Sequence, residues 1–103
     1  MDKKSEYTRV PHEILEALFS AQNHFTPMQY KILLYIIRKT YGWNKYSEYI
    51  SLAGMAKAIG HTRERVTLAV SDLEKMGVLS VDRRRGQAAD ISINDVQYWD
   101  REI

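Results

Sequence analysis

Apolar residues recur at helical spacing in two neighbouring stretches of the sequence, on either side of Gly60. Each stretch follows the i, i+3, i+4, i+7 pattern of a short helix with one apolar face. Gly60 suits the left-handed position after a helix end, and Thr62 can cap the next helix by accepting a hydrogen bond from a free backbone N–H. The pattern therefore predicts a helix-turn-helix with two buried faces. These consist of Leu52, Met55, Ala56 and Ile59 in the first helix and Val66, Ala69, Val70 and Leu73 in the second.

A separate helix is predicted near the start of the chain. Residues 1–6 are polar and charged without periodicity, which predicts a frayed terminus. Pro11 suits the first turn of a helix that ends near Gln22. The predicted apolar face of this helix consists of Ile14, Leu15, Leu18 and Phe19.

The next helix has the strongest start signal in the sequence. Thr26 and Gln29 match a capping box, and Pro27 suits the first helical position. The helix runs to about Tyr41, and Gly42 is expected to end it. Because it carries two apolar rows, we expect it to be buried on most sides as the centre of a small domain. The rows comprise Tyr30, Ile32, Leu33, Leu34, Ile36 and Ile37.

Alternating apolar and polar positions follow Gly77, which is the period of a β-strand. Residues 78–81 and 89–93 predict a β-hairpin with residues 84–87 at its bend, and residues 49–52 are compatible with a short additional strand. The order of elements predicts a mainly α fold with a small β-hairpin. We expect a winged helix-turn-helix in which the hairpin is the wing.

The composition adds limits on size and location. A length of 103 residues with 45% apolar residues suits one domain over residues 1–103, in which residues 94–103 form a C-terminal tail with one packed helical turn. The longest apolar run, residues 32–37, is far shorter than the roughly 20 residues of a membrane helix. Without cysteine or a signal peptide, the chain is expected to be a soluble cytoplasmic protein, with no membrane partner.

The net charge of +2 does not by itself indicate a nucleic-acid partner. Its distribution is more informative, because residues 1–60 carry +3, residues 61–89 carry +2 and residues 90–103 carry −3. Positive charge is thus concentrated before the tail, which permits a basic face on the domain.

Catalytic and metal-binding patterns do not occur in the sequence. His12, His24 and His61 lack metal-ligand spacing, and there is no serine elbow, phosphate-binding glycine loop or paired-cysteine motif. The acidic residues are spread over predicted helix surfaces and the tail. We therefore expect no enzymatic activity, no metal and no cofactor.

Polar residues dominate the outward side of the second helix of the helix-turn-helix, whose N-terminal half reaches base edges in DNA-binding proteins with this motif. Arginine, threonine and serine side chains pair with guanine edges, phosphates and other acceptors on DNA. Glu64 would repel phosphate, but it can accept a hydrogen bond from a cytosine amino group. Its negative charge near the helix N-terminus also stabilises the helix, which explains the residue equally well. The alternative is a merely solubilising helix face. The candidate recognition residues are Thr62, Arg63, Glu64, Arg65, Thr67, Leu68 and Ser71.

The bend of the predicted hairpin is basic. A wing beside a recognition helix can follow the phosphates or enter a minor groove, where arginine is favoured, although charged hairpin tips are common on any soluble protein. The candidate wing residues are Arg83, Arg84, Arg85 and Gln87. We interpret an aromatic group between the helices as a hydrophobic cluster beside the core rather than as a base-stacking surface. It consists of Tyr41, Trp43, Tyr46 and Tyr49.

Two segments resemble a known family. Residues 7–18, YTRVPHEILEAL, and residues 37–45, IRKTYGWNK, are similar to the N-terminal domain of bacteriophage replication protein O. The likeness continues through the helix-turn-helix to residues 77–79. It implies a winged helix that binds repeated sites in a phage replication origin, often as a dimer. Proteins of this family continue into a linker and a region that recruits the host helicase machinery, so helicase-loading partners are expected only of a longer parent chain.

The combined interpretation is sequence-specific binding of double-stranded DNA in the initiation of phage or prophage replication, with a possible homodimer on repeated sites. Two alternatives stay open. One is a phage or prophage transcriptional regulator on the same fold. The other is a winged helix that binds only proteins, because a fold does not determine a function.

Overall fold

Four α-helices and three β-strands make up the part of the chain that the computed structural model describes, residues 6–83 and 88–99. Two short 3₁₀ turns, Tyr41–Trp43 and Val96–Tyr98, accompany them. The expected combination of helices with a small amount of β-structure is confirmed. In chain order the elements are α1 (His12–Phe19), α2 (Pro27–Thr40), β1 (Ser47–Ser51), α3 (Leu52–Ile59), α4 (Arg63–Lys75), β2 (Leu79–Arg83) and β3 (Ala88–Ile93).

The strands form one antiparallel sheet in the order β1-β3-β2, so β3 is central. The predicted hairpin is confirmed as β2 and β3, and the short additional strand forms as β1, which begins two residues earlier than the sequence suggests. On one face of the sheet, Ile50 lies opposite Ala89 and Val81 lies opposite Ile91. This face is buried because α2, α3 and α4 pack against it.

The start of α2 confirms the predicted capping box. The backbone N–H of Gln29 donates to Thr26 Oγ1 at 3.0 Å, and the backbone N–H of Thr26 donates to Gln29 Oε1 at 2.9 Å. α2 ends at Thr40, close to the predicted end near Tyr41. Gly42 lies in the 3₁₀ turn that follows, and the left-handed residue after this turn is Asn44, with a φ of 59°. Asn can adopt this left-handed conformation because its short polar side chain tolerates it.

The prediction that α2 is buried on most sides is wrong. Only one face is buried, and Leu34 on the other side retains 60% exposure. The reason is tertiary, because α3, α4 and the sheet all contact α2 from the same side. The buried face consists of Gln29, Ile32, Leu33, Ile36, Ile37 and Thr40.

The first helix, α1, is shorter than predicted, and only part of its predicted apolar face contacts the core. It ends at Phe19, and Asn23 Nδ2 donates to the carbonyl oxygen of Ala17 at 2.8 Å, which satisfies an otherwise free group at the helix end. Of the predicted face, Ile14 is buried and Leu18 packs against the core while partly buried. Leu15 and Phe19 retain 44% and 76% exposure. Ala17, which lies outside the predicted face, belongs to the buried core, and α1 also contacts the 3₁₀ turn near the C-terminus.

The α3–α4 pair agrees closely with the sequence. Gly60 has a φ of 82°, and its backbone N–H donates to the carbonyl oxygen of Ala56. Thr62 Oγ1 accepts from the backbone N–H of Arg65 at 3.2 Å, which confirms the predicted cap of α4. Ile59 is only partly buried, and every other predicted core position of the pair is buried. Those positions are Leu52, Met55, Ala56, Val66, Ala69, Val70 and Leu73.

The segment after β3 returns to the core, as expected for the tail. Trp99 is 7% exposed, and its Nε1 donates to the carbonyl oxygen of Asn94 at 2.9 Å. Asn94 Nδ2 in turn donates to the carbonyl oxygen of Gly77 at 2.9 Å, at the junction between α4 and β2. Among the described residues, no helix combines the length and the hydrophobicity that crossing a membrane requires.

Candidate nucleic-acid interface

One side of the N-terminal half of α4 is open to solvent. Leu68 retains 66% exposure there, although it belongs to the same helix as the fully buried Val66 and Val70. The surface is continuous, because four of its residues line one shallow depression. The structure thus brings most of the predicted recognition residues together. Arg63, Glu64, Thr67 and Leu68 line the depression, Arg65 is also exposed, and Thr67 and Ser71 are partly buried.

The buried face of α4 determines where each outward side chain points. With 3.6 residues per turn, or about 100° per residue, Glu64 and Leu68 project almost directly away from the buried face. Arg63 and Arg65 project sideways, one to each side of this ridge. A helix placed in a groove would therefore direct the two arginines towards phosphates and the ridge towards base edges.

Thr62 combines its predicted capping role with a position at the start of the candidate interface. Its hydroxyl oxygen caps α4, and the same hydroxyl still carries a proton that it can donate to an acceptor. The first-turn backbone N–H groups of Arg63 and Glu64 have no partner within the helix, so the start of α4 carries partial positive charge. This end of the helix is suited to an anion such as a phosphate.

Arg83 lies at the end of β2 and is bound to α4. Its Nη1 donates to Glu74 Oε1 at 3.0 Å, and the two side chains retain 49% and 36% exposure. This pair connects the hairpin to the helix. The sequence does not predict it, because the partners are nine positions apart and belong to different elements. The other predicted wing residues, Arg84, Arg85 and Gln87, lie outside the described residues.

The aromatic group does not lie beside the core as interpreted from the sequence. Trp43, Tyr46 and Tyr49 retain 48%, 84% and 55% exposure, and only Tyr41 is partly buried. Burial raises the pKa of Tyr41, and the negative charge of Asp95 adds to the effect. Trp43 lies in the 3₁₀ turn, Tyr46 directly precedes β1, and Tyr49 is in β1, the edge strand on the other side of β3 from β2. They are therefore separate from the surface of α4.

The three histidines are not brought together. His12 lies at the start of α1, His24 precedes α2 and His61 lies in the turn between α3 and α4. Within residues 6–83 and 88–99, no group of three His, Cys, Asp or Glu side chains is arranged to hold a metal ion.

Residues 1–99 match the family described as bacteriophage replication protein O. The chain belongs to this family. Among curated relatives, "Replication protein O" of Escherichia phage lambda is 33% identical over 78 residues, which are 76% of this chain and 23% of the relative. "DNA replication protein gp18" of Salmonella phage P22 is 34% identical over 87 residues, which are 84% of this chain and 31% of the relative. This family member spans less than a third of the length of either relative, and no solved structure matches it.

Proposed function

We propose that the chain is a winged helix-turn-helix domain that binds specific sites in double-stranded DNA and has no enzymatic activity. The observation that carries this proposal is the exposed N-terminal half of α4, with Glu64 and Leu68 on its outward ridge and an arginine on each side. The turn before α4 is short and capped, so the helix is held at a defined angle to α3. A rigidly held helix of this kind is what base reading in the major groove requires.

The hairpin, which lies beside α4, supports the same proposal. β2 packs against α4, and the Arg83–Glu74 ion pair holds the two elements together. The connection between β2 and β3 contains Arg84 and Arg85 in the sequence. A basic hairpin held beside a recognition helix extends the contact along the phosphate backbone.

Membership of the replication protein O family supports a role in phage DNA replication. We propose that the sites are repeats in a replication origin and that the chain acts in the cytoplasm of the bacterial host. A single small domain reads few base pairs, and each mismatch costs only about 1–3 kcal/mol, so several copies on repeated sites would supply the missing discrimination. Recruitment of helicase-loading partners is proposed only for a longer parent chain.

A selection of bound sequences from random duplexes tests the proposal. The 103-residue chain is expected to enrich one motif, and footprinting on phage DNA is expected to find it as repeats in an origin. With roughly four to eight phosphate contacts, the binding constant should fall more than about a hundredfold between 50 mM and 200 mM salt. A motif confined to a promoter would favour a transcriptional regulator. No enrichment, together with no duplex binding at low salt, would favour a domain that binds only proteins.

A further inference from the structure

Leu68 is an apolar side chain in the middle of a polar, outward-facing surface. It retains 66% exposure, and it lines the same depression as Arg63, Glu64 and Thr67. Single exposed leucines are common on proteins and by themselves carry no function. The position of Leu68 distinguishes it from the others, because it projects from the outward ridge of α4 between the two laterally directed arginines.

The major groove offers one apolar group to such a side chain, the 5-methyl group of thymine. If the flanking arginines contact phosphates on both sides, the ridge is held above the base edges. Glu64, one turn earlier on the ridge, faces the same edges, and a carboxylate there requires a donor such as a cytosine amino group. Leu68 has no polar side-chain atom, and among the groups that base edges present in the major groove the methyl group is the apolar one that it can contact favourably.

We propose that Leu68 reads the 5-methyl group of one thymine in the recognition site. This inference rests on the proposed DNA binding and specifies which side chain contacts which group of which base. It predicts that the selected motif contains a thymine whose replacement by deoxyuridine weakens binding, although deoxyuridine keeps all hydrogen-bonding groups of thymine.

The test uses the enriched duplex and a set of copies in which each thymine in turn is replaced by deoxyuridine. Affinities are measured with the 103-residue chain by fluorescence anisotropy. One replacement is expected to weaken binding about fourfold, because the complex then lacks the burial of one methyl group. The others should change the affinity by less than about twofold, since they remove no buried methyl group.

Three variants assign the effect to Leu68. Leu68→Gln should bind the thymine and deoxyuridine duplexes equally, whereas Leu68→Met should retain most of the difference because it keeps an apolar contact. Leu34→Gln is the matched control, because Leu34 is a similarly exposed leucine on α2, and it should retain the fourfold difference. Both positions are at the surface, so the thermal unfolding temperature of all three variants should be unchanged within a few degrees.

The possible failures are distinguishable. If a motif is enriched but every deoxyuridine duplex binds as well as the parent, the inference about Leu68 is overturned and DNA binding stands. The same holds if the difference persists in Leu68→Gln, because the methyl group then acts through the shape of the DNA. If no motif is enriched, the proposed function is overturned and the inference with it.

Discussion

Replacing Glu74 by glutamine is expected to strengthen DNA binding, although Glu74 itself is not placed to contact DNA. In the structure Arg83 Nη1 donates to Glu74 Oε1 at 3.0 Å, so a guanidinium at the bend end of β2 is paired with a carboxylate. Glutamine keeps the size of the side chain and removes its charge. The substitution therefore frees Arg83 for a phosphate and removes one negative charge from the region proposed to face DNA.

The expected changes in stability and in DNA affinity follow from the exposure of the Arg83–Glu74 pair and from the release of counterions on DNA binding. Side chains that retain 49% and 36% exposure form a weak ion pair, which contributes about 0.2–1 kcal/mol to stability, so the fold should be kept. One further phosphate contact increases the salt slope of the binding constant by about 0.9. At 0.1 M salt this corresponds to binding that is about three- to tenfold tighter. Specific and random duplexes should be affected alike, because phosphates carry no sequence information.

Fluorescence anisotropy titrations over a series of salt concentrations measure both the affinity and the slope. The matched control is Glu16→Gln, which removes the same charge from an exposed position on α1, away from α4. It should raise the affinity much less than Glu74→Gln and leave the slope unchanged. If the two variants bind with the same affinity and the same slope, the reasoning that Glu74 withholds Arg83 from phosphate is refuted.

Three further predictions concern stability, base reading and assembly. Gly60→Ala and Gly77→Ala both place alanine at a positive φ, which costs about 1–2 kcal/mol, but only a Cβ at Gly77 would collide with the carbonyl oxygen of Tyr98. Urea unfolding should show a larger loss of stability for Gly77→Ala than for Gly60→Ala. Equal losses of stability would contradict the close approach of Gly77 to the Tyr98 carbonyl oxygen. Arg63→Ala should lower the affinity for specific and random duplexes alike, because phosphate contacts carry no sequence information. A selection of bound sequences with Glu64→Gln should recover adenine at the position where the unaltered chain recovers cytosine. If the selected motif is unchanged, Glu64 does not contact a base. A duplex with the repeated site should bind at least two chains in sedimentation, and a saturated complex of one chain at full affinity would argue against repeated sites.

Much of the fold could be predicted because its signals are local. The capping box of Thr26 and Gln29 needs only residues within one turn, and the left-handed conformation at Gly60 is a property of a residue without a Cβ. The apolar spacing of α3 and α4 identified their buried sides, since both helices are amphipathic and pack on one core. The candidate residues on α4 could be named for the same reason, as the positions left over when the buried side is known.

The sequence by itself thus determined where most of the helices start, which sides of α3 and α4 are buried and where the hairpin lies. Only the tertiary structure decided how these elements face one another. It left Leu15, Phe19 and Leu34 exposed, because α1 and α2 each have a packing partner on one side only. It also paired Arg83 with Glu74 and left Trp43 and Tyr46 at the surface. Apolar character and charge are properties of single residues, whereas burial and pairing depend on neighbours that are distant in the chain and come close only when the sheet and helices pack.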